Sequence, residues 1–272
     1  MDHFSFRRRG RASGVRGPNP LIAKLGRFVP LTSLDHDALV RISADARPLL
    51  RGDDLIREGD RPDSVFLLLE GWACRYKHLD DGSRQITGYL LPGDLCDIRI
   101  FLFDQMDHSI GLLSDAIVVK IPAPAVIDLL KRYPRIERAT MWATLVDEAT
   151  LREWLLNIGQ RDAVQRLAHL FCELCVRLHV VNLVDDRRSF AMPLTQADLA
   201  DTVGMTAVHV NRSLQRLRRD GLIVLKEGRL TTLDFARLAD LAGFNDNYLH
   251  IDGPPLPDPH QNRHSGGAAR PQ

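Results

Sequence analysis

The segment from Thr195 to Arg219 constrains the fold of this chain most, because its sequence predicts two short helices joined by a tight turn. Thr195 and Asp198 have the spacing of a capping box at the start of the first helix. Gly204 interrupts the helical pattern where a tight turn favours a residue without a side chain. Thr206 can cap a second helix, which runs to Arg219. We therefore predict a helix-turn-helix.

The second helix has one apolar stripe and one cationic face. Val210, Leu214 and Leu217 recur at helical spacing and are expected to be buried. Four arginines and no acidic residue lie between Thr206 and Arg219, a composition that suits phosphates and base edges. The residues expected to contact DNA are Thr206, Val208, His209, Asn211, Arg212, Gln215, Arg216, Arg218, Lys226 and Arg229.

Residues 221–233 (GLIVLKEGRLTTL) predict a hairpin with a basic tip after the second helix. A helix-turn-helix followed by such a hairpin is a winged helix. Units of this kind also serve as protein–protein modules, so a regulatory or scaffold subunit that does not bind DNA remains an alternative.

Composition excludes several other classes of protein. The net charge is only +1 over 272 residues, so DNA must be attracted by a local patch and not by the whole molecule. The sequence lacks an apolar run long enough for a membrane span and lacks a signal-peptide pattern. Four cysteines do not suggest a disulfide scaffold. We expect a cytoplasmic protein, and we expect no enzyme because no catalytic constellation has local support.

The chain divides into five predicted segments with an α+β fold. Short apolar runs separated by glycine and proline turns between Pro48 and Pro122 predict an antiparallel β-roll or sandwich. The predicted segments are a flexible basic tail (1–19), the β-roll (20–134), a long helix (135–160), the winged helix (161–244) and a disordered tail (245–272).

The long helical segment predicts a homodimer. It contains no glycine or proline from Arg135 to Ile158, and its apolar surface is broader than one small domain needs. We expect that surface to form a coiled-coil-like seam between two copies. The residues assigned to this dimer interface are Ala139, Trp142, Val146 and Ala149.

The order of roll, long helix and winged helix resembles the Crp/Fnr family of bacterial transcription regulators, and looks most like its nitrogen-fixation branch. The resemblance covers Leu21 to Leu233, and its most specific motif is MPLTQADLADTVGMTAVHVNRSLQRLRRDGLI from Met192 to Ile223. It implies a sensor roll, a dimerisation helix, and two recognition helices in successive major grooves of a palindromic operator. It also implies double-stranded DNA and RNA polymerase as partners.

The resemblance also implies roles for single side chains. Arg212 matches the family's recurring recognition arginine, and Val208 stands where the family commonly has glutamate. His209 and Asn211 are expected to make supplementary polar contacts. The residues expected on phosphates are Arg216, Arg218, Lys226 and Arg229.

The cyclic-nucleotide cassette of the family is degenerate in this chain. The family's Gly-Glu and Arg-Ser pairs fall on Asp97-Ile98 and His108-Ser109, so the cation and the carboxylate for a cyclic nucleotide are missing. We expect no cyclic AMP and no cofactor. A roll that binds a different small molecule is an alternative. Its possible pocket residues are Asp97, Ile98, His108, Ser109, Leu151 and Arg152.

No metal site is predicted. Cys172 and Cys175 have metal-like spacing, but they lie on an amphipathic helix without further ligands at a suitable spacing. Packing in the core is therefore the preferred interpretation of both cysteines.

Overall fold

The structure, a computed structural model, describes residues 18–251. The predicted basic tail, apart from its last two residues, and residues 252–272 of the predicted C-terminal tail lie outside that range. The helices are α1 (Pro20–Phe28), α2 (Ser33–Ile42), α3 (Ala123–Arg132), α4 (Pro134–Gln160), α5 (Ala163–Val180), α6 (Gln196–Val203), α7 (Ala207–Arg219) and α8 (Phe235–Ala242), with short 3-10 turns at Ile100–Leu102 and Asp246–Leu249.

The strands form two antiparallel sheets in the roll and one in the winged helix. The roll strands are β1 (Ala46–Leu49), β2 (Asp54–Ile56), β3 (Ser64–Glu70), β4 (Ala73–His78), β5 (Arg84–Leu90), β6 (Leu95–Cys96), β7 (Ser109–Leu112) and β8 (Ala116–Pro122), and those of the winged helix are β9 (Ser189–Ala191), β10 (Ile223–Lys226) and β11 (Arg229–Thr232). The roll sheets have the orders β1-β8-β3-β6 and β2-β7-β4-β5. The α+β fold with an antiparallel roll is confirmed.

Helix α4 spans 27 residues and packs against α1 and α3. Its Ala139, Val146 and Ala149 are buried within the chain, in one apolar cluster with α1. Trp142 stacks on Phe28 of α1 with ring centroids 6.0 Å apart. These four residues were assigned to the dimer interface, and the structure corrects that assignment because the chain covers this face of α4 itself.

A different face of α4 is apolar and exposed. Positions 141, 145, 148, 152 and 155 follow the four-three spacing of a coiled-coil seam. Two of these positions carry Glu148 and Arg152, which pair with each other at 2.6 Å. The exposed apolar residues on α4 are Met141, Leu145, Leu151, Leu155 and Leu156.

The winged helix forms as its turn residues predict. Thr195 and Asp198 make the capping box of α6, and Gly204 ends that helix in the left-handed region with φ of 62°. The β10–β11 turn places Glu227 and Gly228 at positive φ, the backbone of a tight two-residue hairpin turn. β9 adds a third strand to this hairpin.

Residues 245–251, which the sequence assigned to a disordered tail, instead fold back onto the protein. We call this segment the C-terminal strap. Tyr248 and Leu249 of the strap are buried against α4 and α5. Within residues 18–251, no helix is long and apolar enough to cross a membrane.

Candidate DNA interface

Helix α7 presents the predicted cationic face. Thr206 caps it by accepting a hydrogen bond from the His209 backbone N–H at 3.3 Å. The side chains of Val210, Leu214 and Leu217 are buried in the core that α7 shares with α5. The inward stripe therefore fixes the rotation of α7 about its axis, and the opposite side must face outward.

The outward side of α7 carries most of the predicted reading residues. Val208 is 60 % exposed, and Arg212 is exposed beside it, one turn further along the helix. Asn211 is half-buried on the flank. The other exposed members of the predicted set are Thr206, His209, Gln215, Arg216, Arg218, Lys226 and Arg229. A 13-residue helix is about 20 Å long, and a B-DNA major groove admits such a helix.

The cations at the end of α7 and on the wing have acidic neighbours. Arg216 lies 3.8 Å from Asp220, the C-cap residue of α7. Arg229 of the wing lies 3.5 Å from Asp185 and donates to Ser189 Oγ at 3.3 Å. These contacts are long and exposed, so they hold the cations weakly. A phosphate can replace them at small cost.

The roll anchors the helix-turn-helix through a pair of arginine-carboxylate contacts. Arg84 of β5 donates from Nη2 to Asp198 and from Nε to Asp201 of α6, both at 2.7 Å. The side chain of Asp198 is only 6 % exposed, and Arg51 Nη2 lies 3.3 Å from its Oδ2. Nearby, the hydroxyl groups of Tyr89 and Thr202 hydrogen-bond. Sequence reasoning missed these anchors, because a lone arginine on a strand gives no signal of its distant partner.

Two of the predicted pocket residues, Asp97 and His108, lie in a cluster of charged side chains of the roll. Arg75 of β4 donates from Nε to Asp97 at 3.1 Å and from Nη2 to Asp147 of α4, also at 3.1 Å. His108 Nε2 lies 3.1 Å from Asp97, and its Nδ1 lies 2.7 Å from Asp107. The guanidinium of Arg75 therefore lies between the roll carboxylate and α4. Neither Arg75 nor Asp147 was among the predicted pocket residues.

The other predicted pocket residues do not join this cluster. Ile98 is buried in the apolar core shared with α1 and α3, and Ser109 Oγ accepts from the Glu58 N–H at 3.0 Å. Leu151 is exposed on α4, and Arg152 pairs with Glu148. The structure thus brings together Asp97 and His108, and leaves the other four positions elsewhere.

Burial and charge set the ionisation of the cluster. Burial disfavours the charged form of Asp97, but the charge of Arg75 and hydrogen bonding to His108 outweigh it and lower the pKa to about 2. Burial also disfavours charged His108, but hydrogen bonds to Asp97 and Asp107 outweigh it and raise its pKa above 6.5. An anion would have to displace Asp97 from Arg75 to bind here.

The four cysteines are buried as free thiols. Burial raises the pKa of Cys172 and of Cys175, so both remain protonated at neutral pH. Among residues 18–251, no group of three or more His, Cys, Asp or Glu side chains is placed to hold a metal ion.

Comparison with known proteins agrees with this arrangement of domains. The cyclic nucleotide-binding domain family matches residues 46–133. The Crp-like helix-turn-helix domain family matches residues 165–241. The two matches correspond to the roll and to the winged helix, and α4 lies between them.

Characterised relatives cover most of the chain. The transcriptional activator protein FnrL of Cereibacter sphaeroides is 28 % identical over 195 residues, 71 % of this chain and 78 % of its own length. The fumarate and nitrate reduction regulatory protein of Vibrio cholerae is 26 % identical over 213 residues, 78 % of this chain and 84 % of its own length. The solved structure of FixK2 from Bradyrhizobium japonicum shares the fold, with a TM-score of 0.65 and 21 % identity over 74 % of this chain and 98 % of its own.

Proposed function

Because this chain belongs to the Crp/Fnr family of DNA-binding transcription regulators, we propose that it binds a palindromic operator as a homodimer and needs no cyclic nucleotide to do so. The observation that carries the proposal is the exposed face of α7, where Arg212 projects from a helix that is anchored on its other side. The proposal places the protein in the cytoplasm, with RNA polymerase as its partner on DNA.

Arg212 is the base reader in this proposal. Its outward position on α7 suits a bidentate contact with guanine O6 and N7, the commonest specific contact of arginine in the major groove. Val208 lies one turn away and can contact only an apolar group such as the thymine methyl. The half-site should therefore contain a guanine opposite Arg212 and should differ from the usual family sequence near Val208.

The homodimer is proposed to form through the exposed seam of α4. Leu155 is 75 % exposed and Met141 is 57 % exposed. Burying such side chains against a second copy gains roughly 25 cal/mol per Å² of apolar surface. Glu148 and Arg152 in the middle of the seam can pair across it as well as within one helix. Two copies joined along α4 would present two α7 helices to one face of DNA.

Independence from a cyclic nucleotide is supported by the Arg75 cluster. A cyclic phosphate must bind a cation that has no other anionic partner. Arg75 instead pairs with two carboxylates, those of Asp97 and Asp147, and Asp97 also pairs with His108. The charge of Asp97 would also repel a phosphate. We therefore infer that the roll is a scaffold held by its own ion pairs.

The proposal is tested by selecting DNA from a randomised duplex library with the purified chain and no added ligand. Enrichment of one inverted repeat is the expected result. Failure to enrich any sequence, or enrichment only after cyclic AMP is added, would contradict the proposal. Calorimetry with cyclic AMP on the same preparation supplies the second readout, and heat at micromolar ligand would overturn the ligand-independent part alone.

A further inference from the structure

The C-terminal strap begins at the hinge between α4 and α5. Arg161 lies in this hinge and donates from Nε to the Ala242 carbonyl at 3.0 Å and from Nη2 to the Gly243 carbonyl at 3.4 Å. The same guanidinium pairs with Glu153 of α4 at 2.7 Å. One side chain therefore ties the hinge, α4 and the end of α8 together, directly before the strap starts. The strap lies beyond the residues matched by the Crp-like domain, 165–241.

Tyr248, in the middle of the strap, hydrogen-bonds to a buried carboxylate. Glu173 of α5 is fully buried and accepts hydrogen bonds from the Tyr248 hydroxyl at 2.9 Å and from Trp154 Nε1 of α4 at 3.0 Å. Both donors reach the same oxygen, Oε2. Burial raises the pKa of Glu173, and the donors act against that rise. Glu173 thus joins three segments: α5 of the winged helix, α4 of the proposed seam, and the strap.

The network around Glu173 extends into the roll through Arg177. Arg177 of α5 donates to Glu173 Oε1 at 3.2 Å, to Asp94 of the roll at 3.2 Å and to the Tyr89 carbonyl at 2.8 Å. Asp94 also pairs with Lys24 of α1. Each charged side chain of this network pairs with one of opposite charge, and both carboxylates are buried, so the network has a defined geometry.

Apolar contacts seat the end of the strap on α4. Leu249 is 2 % exposed and belongs to one cluster with Phe28 of α1 and Val146 of α4. The His250 ring meets the edge of Trp142 with centroids 6.1 Å apart. The strap thus covers the face of α4 that carries Trp142 and Val146 and leaves the exposed seam uncovered.

We propose that the C-terminal strap is a clamp that fixes the orientation of the winged helix on α4, with Tyr248 and Leu249 as its positioning residues. The inference rests on the proposed function, because the clamp matters only if two α7 helices must meet two half-sites at a set spacing. A dimer that binds successive major grooves demands one centre-to-centre distance between its recognition helices. The strap holds that distance without any bound effector.

The experiment compares the full chain, a chain ending at Ile251, a chain ending at Gly243, which lacks the strap and also Phe244, and the point variants Tyr248→Phe and Leu249→Ala. The chain ending at Ile251 keeps the whole strap and is the control for truncation. Asp246→Ala, which alters an exposed side chain on the same turn, is the control for the point variants. Affinity is measured by fluorescence anisotropy on the selected operator and on operators whose half-site spacing is changed by one or two base pairs.

Removing the strap should lower affinity for the native spacing by about tenfold, within the usual range of coupling between sites, while affinity for the altered spacings changes little. The ratio of the affinity for the native spacing to the affinity for the altered spacings should therefore fall in the Gly243 truncation and in Leu249→Ala. It should fall to a lesser degree in Tyr248→Phe. Both controls should match the full chain. A strap that only stabilises the fold would lower the melting temperature and leave the spacing ratio unchanged, and that result overturns the clamp.

The two proposals fail in different ways. If the full chain binds no operator, the proposed function fails before the variants are compared. If the full chain binds and the point variants keep its spacing ratio, the clamp fails and the proposed function stands. Should the Gly243 truncation not fold, Tyr248→Phe and Leu249→Ala decide the matter.

Discussion

Replacing Arg75 with methionine tests whether the roll is held by its own ion pairs. The side chain of Arg75 is 16 % exposed and contacts the side chains of Asp97 and Asp147, which are 23 % and 39 % exposed. Methionine keeps much of the side-chain volume and removes the charge. Breaking a buried pair from one side costs about 3–5 kcal/mol, because the partner's charge is left uncompensated.

The lowered pKa of Asp97 reflects the charge of Arg75 together with the hydrogen bond to His108. Its fall from 3.8 to about 2 corresponds to roughly 2 kcal/mol of preference for the charged form. Asp147 is more exposed and adds less. We therefore expect Arg75→Met to lower the free energy of unfolding by about 3 kcal/mol at neutral pH. Adding Asp97→Asn should recover at least about 1 kcal/mol, because it removes the uncompensated charge.

The assay is urea unfolding at a fixed protein concentration, since the stability of the proposed dimer would depend on concentration. Arg57→Met is the matched control, because Arg57 pairs with Asp54 on the same roll but is 73 % exposed. That control should cost less than about 1 kcal/mol. If Arg75→Met costs no more than Arg57→Met, the roll is not held by this cluster and the reasoning is refuted.

Two further predictions concern pH and assembly. Because the pKa of His108 is raised in the folded protein, His108 stabilises the fold below pH 6.5, and this contribution is lost as the pH rises through the folded pKa. His108→Gln should therefore lower the free energy of unfolding more near pH 6 than near pH 9. A loss that does not depend on pH would contradict this. Leu145→Glu, in the exposed α4 seam, should give a monomer at micromolar concentration by light scattering and should lose operator binding. Leu79→Glu, at an exposed position on the β4–β5 turn, should remain dimeric. A dimeric Leu145→Glu would place the interface elsewhere.

The sequence predicted the winged helix closely because its elements are set by local chemistry. The capping box of Thr195 and Asp198, the left-handed Gly204 and the stripe of Val210, Leu214 and Leu217 all form as expected. Each of these signals depends on residues a few positions apart. The rotation of α7, and with it the candidate reading face, follows from them.

The proposed dimer face of α4 could not be predicted in the same way. The helix is apolar on two sides, and periodicity does not tell which side the chain covers. The predicted residues Ala139, Val146 and Ala149 are covered by α1 and by the strap. The strap itself has the composition of a tail, and only the distant partner Glu173 gives Tyr248 a buried position.

The Arg75 cluster was missed for a related reason. Alignment with the cyclic-nucleotide cassette pointed to Asp97 and His108, which do meet. It could not supply Arg75 or Asp147, because they lie 22 and 50 residues from Asp97 in sequence. Contacts between distant segments depend on the tertiary fold and leave no local pattern.

The most direct test of the DNA-reading account is the sequence preference of Arg212→Ala beside that of Arg218→Ala, with both variants profiled on the same randomised library. Both arginines are exposed on α7, but only Arg212 points along the outward stripe with Val208. We expect Arg212→Ala to lose about 1–3 kcal/mol of discrimination at one symmetric base pair in each half-site. Arg218→Ala should weaken binding to all sequences alike and reduce the salt slope by about one. An unchanged motif for Arg212→Ala would contradict the account.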